Sequence, residues 1–236
     1  DSPVLALAPG RVLGATALSG NTVVLVIGII AVLILTFATG EGVSLAAFIP
    51  LGLAVVGGYW SMLNTSWNFR AAVSRDGVRL RYGLLDTRTQ TVPPGRIQAV
   101  AVTQPLLWRI TGWYRISVNV AGYGAAAGND GAARTRLLPA GTLEETLQIL
   151  ALVLPNPGTP DPVGLFSAGI EGSGTDHGFT VSPRRARWVA PLQWRRSGYA
   201  LTETALLSRS GRLWRNLTVV PHERIQSMAL HQGPLA

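Results

Sequence analysis

The side chains in this sequence best equipped for chemistry are arginines set among tryptophans. The stretch SPRRARWVAPLQWRR, residues 182–196, carries Arg184, Arg185, Arg187, Arg195 and Arg196 beside Trp188 and Trp194, with no acid among them. A guanidinium offers its donors in a planar fork that fits phosphate or carboxylate oxygens. Tryptophan suits a boundary that is apolar on one side and wet on the other. These seven residues are the candidate contact to anionic lipid, where each Arg held near the surface contributes about 1 kcal/mol. The competing reading is a linker whose arginines pair with acids elsewhere in the protein. Nucleic acid could use the same groups, but no reader motif accompanies them, so no nucleic-acid partner is expected.

Other chemistries find little support. His177, His222 and His231 are the histidines, and His222-Glu223 is no part of an HExxH zinc motif because position 226 is Gln. All 20 basic residues are Arg, so a P-loop lysine is absent, and no Gly-x-Ser-x-Gly elbow occurs. Cysteine is absent too, which removes disulfides, thiolate catalysis and Cys-based zinc sites. Carboxylates such as Asp130, Glu171, Glu203 and Glu223 are scattered singly rather than paired for acid–base work. No catalytic residue, metal or cofactor is expected, and the protein reads as a non-enzyme.

The elements that must carry these arginines begin in a membrane. Residues 22–63 contain one charge, Glu41. Within them 22–38 and 43–63 are each close to the roughly 20 apolar residues that cross a bilayer as a helix, joined by Thr39-Gly40-Glu41-Gly42. The pair reads as a transmembrane helical hairpin, with Tyr59, Trp60 and Trp67 as an aromatic belt and Ala54 and Gly58 as a small-residue seat for the first helix. Arg11 precedes it and Arg70, Arg75, Arg79 and Arg81 follow, so both ends are expected in the cytoplasm, with 1–21 an N-terminal cytoplasmic segment.

From residue 69 onward there are 19 Arg against 10 acids, a net of +9, and the pattern turns to period two. Residues 72–84 read as two strands around Asp76-Gly77. Strands follow near 87–92, 100–102 and 116–120, with a short helical piece at 106–114 stopped by Gly112 and a flexible loop at 122–131. Thr142-Leu-Glu-Glu145 forms a capping box that starts an amphipathic helix over 143–154. Residues 155–182, rich in Pro, Gly and Ser, read as a linker.

The chain then repeats itself. VPPGRIQAVAVTQ (92–104) returns as VPHERIQSMALHQ (220–232), and an offset of 128 aligns Pro93, Arg96, Ile97, Gln98 and Gln104 with Pro221, Arg224, Ile225, Gln226 and Gln232. The same offset sets Gly211 on Gly83, but replaces Arg75 by Glu203 and Arg79 by Leu207, keeping only Arg209 for Arg81. A phosphate-gripping role for Arg75, Arg79 and Arg81 is therefore not shared, and they read as the solvated face of a strand. Beginning at Asp1 and ending at Ala236 inside the second copy, the sequence reads as an internal piece of a longer protein.

This Val-Pro turn followed by RIQ(S/A)-x-x-x-x-Q, with its strand pair and membrane hairpin, resembles the bacterial PH-domain (bPH2) membrane proteins, the YdbT-like ones in particular. The resemblance implies a PH-like fold of antiparallel sheets closed by a C-terminal helix, set beside a membrane α-helical hairpin and duplicated. Residues 64–154 would be the first PH-like domain and 183–236 the start of a second, incomplete one. The motif residues are then a fold signature, with Arg96 and Gln98 tying a turn to its neighbouring strand. The expected function is a non-catalytic interaction or assembly module at the bacterial cytoplasmic membrane, multi-pass, with its domains on the cytoplasmic side. Its partners would be membrane lipids and a second copy of itself or another membrane protein. An accessory subunit of an envelope transport or stress-resistance system and an anionic-lipid adaptor are the alternatives.

Overall fold

The computed structural model describes residues 2–40, 48–74, 77–85, 87–120, 134–188 and 190–225. The turn at Glu41, Asp76, the 122–131 loop, Gln226, His231 and Gln232 lie outside the described residues. The chain divides into two compact units, one comprising Asp1–Val73 with Arg79–Gln90 and the other Ser74–Val78 with Thr91–Ala236.

The first unit holds β1 (Ser2–Ala6), α1 (Pro9–Ala17), α2 (Gly20–Thr39), α3 (Phe48–Ser66) and β2 (Arg70–Ser74). The chain continues into β3 (Gly77–Tyr82) and β4 (Arg88–Val92), which extend a four-stranded sheet in the order β1-β2-β3-β4. The N-terminal segment is thus not a plain lead-in. β1 pairs antiparallel with β2, and α1 packs on α3 with Val12, Ala15 and Thr16 buried.

One helix, counted as Pro9–Ala38, is long and apolar enough to cross a membrane by length and composition. α3 contains no charged residue over 19 positions and packs on α2. Two contacts place these helices together. The Thr22 and Tyr59 hydroxyls lie 2.7 Å apart, and Gly58 approaches so closely that a Cβ there would sit 2.2 Å from Asn21 Nδ2. Away from that seam, Ile27, Phe37, Leu53 and Val56 are exposed, the reverse of what a helix in water arranges.

The second unit is built on a seven-stranded sheet. Its strands are β5 (Ile97–Gln104), β6 (Tyr114–Val120), β7 (Arg134–Gly141), β8 (Thr180–Val181), β9 (Gly198–Leu201), β10 (Ala205–Ser210) and β11 (Arg215–Pro221). The order is β7-β6-β5-β11-β10-β9-β8, antiparallel throughout. Three helices accompany it: α4 (Trp108–Thr111), α5 (Leu143–Val153) and α6 (Pro162–Ile170). α4 ends on Gly112 as its spacing foretells, and the capping box of α5 is formed, with Thr142 N donating to Glu145 Oε2 at 2.8 Å and Glu145 N to Thr142 Oγ1 at 3.3 Å.

Three features of this unit add to the sequence reading. The strands after the first Val-Pro motif do not close on a sheet of their own stretch. β5 pairs with β6 on one side and with β11 on the other, Val102 opposite Leu217 and Gln104 opposite Arg215, so one sheet takes strands from both stretches of chain. Within residues 155–182, α6 packs on β10 and β11 with Leu165, Phe166 and Ile170 buried. Its small residues, which read as loop composition, permit that approach: a Cβ on Gly169 would lie 2.8 Å from Leu217 Cδ1. α6 thereby covers the sheet that an incomplete second domain would have left bare. Finally, Arg209, which the offset of 128 sets on Arg81, is buried. β3 turns Val78 and Leu80 inward and leaves Arg79 and Arg81 exposed, whereas β10 buries Ala205, Leu207 and Arg209. The aligned strands bury opposite faces, a difference that one residue of register produces.

The hairpin joining β10 to β11 depends on Gly211. Its φ is +74°, and a Cβ would sit 1.8 Å from the Trp214 carbonyl oxygen. The change Gly211→Ala should destabilise the body by about 1–3 kcal/mol from backbone strain alone, read as a lowered denaturation midpoint in detergent. An unchanged midpoint would mean the turn reorganises freely.

Candidate functional site

The sequence gathers arginines from three places onto one recess of about 440 Å3. Arg109 comes from α4, a single turn pinned by fully buried Trp108. Arg187, Arg195 and Arg196 come from the Arg–Trp stretch, which folds as a 3-10 turn over Arg184–Arg187 and then as linked turns, with Trp194 N bonded to Ala190 O at 3.1 Å and Arg196 N to Gln193 O at 2.8 Å. Arg212 and Arg215 bracket the hairpin between β10 and β11. The carboxylate among the lining residues is Glu171, so six guanidiniums face one acid. Among the described residues, none of the six forms a salt bridge.

Arg196 is the most deeply set, 5 % exposed. Its Nη2 donates to Gly169 O at 3.0 Å and Ile170 O at 2.7 Å, and its Nη1 to Gly172 O. Behind it Arg209, 1 % exposed, donates from Nη1 to Ala168 O at 2.9 Å, from Nε to Arg196 O at 3.0 Å and from Nη2 to Gly174 O. Glu171 N meets Ser167 O at 2.8 Å. The last four carbonyls of α6, which a helix leaves without internal partners, are therefore all satisfied, three of them by guanidiniums. Arg209 also lies over the Phe179 ring at 4.1 Å.

The electrostatics follow from burial and crowding. Burial first, then repulsion from Arg215, Arg209 and Arg109, pulls the Arg196 pKa down to about 10. Arg215 is lowered by burial and by Arg109, with Tyr114 and Glu171 opposing. Arg209 is lowered by burial, with Asp176 opposing. Tyr114 is pushed well above the usual phenol range, chiefly by burial and then by its hydrogen bond to Glu171. Tyr114 thus stays a neutral donor at neutral pH, holding Glu171 in place. Gln104 Oε1 accepts from Arg215 Nη1 at 3.1 Å across the β5–β11 pairing.

Of the seven arginines and tryptophans singled out in the sequence, Arg187, Trp194, Arg195 and Arg196 line the recess. Arg184, Arg185 and Trp188 do not; they are exposed, and Arg187 stacks over Trp188 at 5.6 Å. Of the repeated motif, Ile97 and Gln104 are buried, and Gln98 is half-buried. Arg96 and Arg224 are exposed in 3-10 turns whose closing bonds are made by backbone, Arg96 N to Pro93 O at 3.1 Å and Ile225 N to His222 O at 3.2 Å. Pro221 ends β11. Sequence reasoning missed Arg109, Arg212 and Arg215. A signal for two of them was present: SGRLWR, 210–215, is a second arginine–tryptophan cluster without an acid.

Antiparallel sheets with a capped helix behind them, following an N-terminal helix apolar enough to cross a membrane, are consistent with a PH-like domain. The family model described as the bacterial PH domain (bPH_2) matches residues 11–155 and again 163–236. The chain belongs to the bacterial PH-domain family. No curated protein and no solved structure matches it.

Because Arg209 serves three carbonyls inside the body, Arg209→Met should cost about 3–5 kcal/mol, the scale for removing one side of a buried charged network. Denaturant unfolding measures it. A loss under about 1 kcal/mol would mean that water replaces the guanidinium.

Proposed function

We propose that the protein is a membrane-embedded, non-catalytic interaction and assembly module. In this reading the stretches 22–38 and 43–63 cross the cytoplasmic membrane as a hairpin and the body lies on the cytoplasmic side. The arginine bias around the hairpin supports that orientation, and the exposed apolar side chains of α2 and α3 support burial in lipid. The body is a duplicated PH-like fold: β3, β4 and the 3-10 turn at Pro94–Arg96 have β10, β11 and the turn at His222–Arg224 at the same offset of 128 that aligns the motifs.

The observation that carries the reading is the pairing of β5 with β11. A fold that builds one sheet from two stretches of chain uses main-chain strand addition, which gives affinity without chemistry and serves equally to join separate chains. The recess adds donors and charge but no nucleophile–base pair.

Three measurements test this. Full-length protein should stay with the membrane through an alkaline carbonate wash; release would count against the hairpin. In mild detergent it should run as a discrete oligomer, and a strictly monomeric particle would count against assembly. Thr218, opposite Ala101 on one side and Ser208 on the other, sits in a central strand where proline removes a ladder hydrogen bond. Thr218→Pro should therefore abolish amide protection in β5, β6 and β10 together. Protected β5–β6 beside an unfolded β10 would overturn the shared body.

A further inference from the structure

We propose that the arginine recess is a binding site for a phosphate-type dianion, held by Arg109, Arg212 and Arg215 against the buried charge of Arg196. The inference goes beyond the assembly reading and stands without it.

Charge comes first. Six guanidiniums converge on a single carboxylate, and that carboxylate is already taken by the Tyr114 hydroxyl. Burial, and beside it the charge of Arg109, lowers both Arg196 and Arg215, and Arg215 lowers Arg196 further. Folding therefore stores repulsion here that an anion would relieve. A monovalent group would leave most of it in place, whereas a dianion with three or more oxygens accepts from several forks at once.

The second observation is a donor without an acceptor. Arg196 is buried, and its Nη1 and Nη2 are spent on carbonyls of the α6 end. Its Nε is buried with no hydrogen-bond partner. A buried charged donor left unmet costs more than an ordinary hydrogen bond returns, so Arg196 adds positive charge to the wall of the recess that no salt bridge among the described residues offsets. Arg109 and Arg212 are exposed, with Arg109 Nη1 donating to Arg212 O at 3.2 Å. That bond brings α4 to the hairpin and leaves the rest of each guanidinium for a ligand.

Size and surroundings define the class further. A volume of about 440 Å3 falls in the range of roughly 300–1,000 Å3 typical of small-ligand pockets, larger than a bare phosphate needs. The fit is to a phosphate monoester or diphosphate carrying a small organic group. Leu192 lines the recess and is exposed, and Ile110, Leu213 and Trp214 beside the arginines in sequence are exposed too. Such neighbours suit a phosphate carried on a lipid, while the recess chemistry alone suits a soluble one.

The test uses the full chain. In neutral-lipid nanodiscs, inorganic phosphate or pyrophosphate is added against chloride of equal ionic strength, and thermal unfolding and calorimetry are read. In a second arm the nanodiscs contain phosphatidic acid. The phosphate probes, the lipid or both should raise the unfolding temperature, as any ligand confined to the folded state does. For a soluble probe that responds, affinity should climb as pH rises through its ionisation to the dianion. The double variant Arg109→Gln/Arg212→Gln, drawn from exposed residues, should weaken binding about tenfold or more. Arg184→Gln/Arg185→Gln, with the same change in charge outside the recess, should leave it unchanged.

A response to phosphatidic acid alone assigns the site to a lipid headgroup, and a response to phosphate or pyrophosphate alone assigns it to a soluble ligand. The proposal is overturned by no response in either arm, by an equal response to chloride, or by equal weakening in both double variants.

Discussion

The body depends on the end of one short helix. Ser167, Ala168, Gly169 and Ile170 present carbonyls with no partner inside α6, and two of the donors that meet them are guanidiniums brought from a turn and from a strand. Cations are favourable at a helix C-terminus, where the peptide dipoles leave partial negative charge. Burying a guanidinium is costly unless its donors are occupied, and here occupation and capping are the same bonds. Once α6 is held, its apolar face closes over β10 and β11 and the core formed by Leu165, Phe166, Phe179, Leu207 and Leu217 is complete. The innermost charge of the recess is thus an outcome of how a helix is finished.

The sheet imposes the second constraint. β5 and β11 belong to stretches that carry the same Val-Pro motif, and the order β7-β6-β5-β11-β10-β9-β8 runs straight through their junction. Gln104, 2 % exposed, is a motif residue whose side chain receives a bond from Arg215 on the neighbouring strand. Its burial accounts for a polar residue at the end of an otherwise apolar inward face, where an unpartnered amide would be destabilising.

Much of this was legible because it is local. The apolar run became α2, the capping box began α5 at Leu143, and Gly112 stopped α4. What the sequence hid was pairing and facing. Period two says that 97–104 is a strand but not which edge it joins, and β11 lies more than a hundred residues further on. Composition hid α6, whose Gly and Ala residues read as linker yet are what permits close packing against Leu217. Arg209 was hidden because arginine in a strand is ordinarily at the surface; only the carbonyls of α6 make it a core residue. The Arg–Trp stretch was recognised as basic, but its distribution between recess and surface is decided by turns that bring Arg195 and Arg196 to α6 while leaving Arg184 and Arg185 outside.

The junction of β5 with β11 also has a bearing on descent. Two stretches of chain that each folded alone would be free to drift apart. Here a strand from one Val-Pro stretch is the neighbour of a strand from the other, and Gln104 and Arg215 meet across that line. Neither stretch can be deleted, permuted or exchanged without leaving an open edge. Substitutions at the two positions should accumulate as a pair, so that the two stretches evolve together.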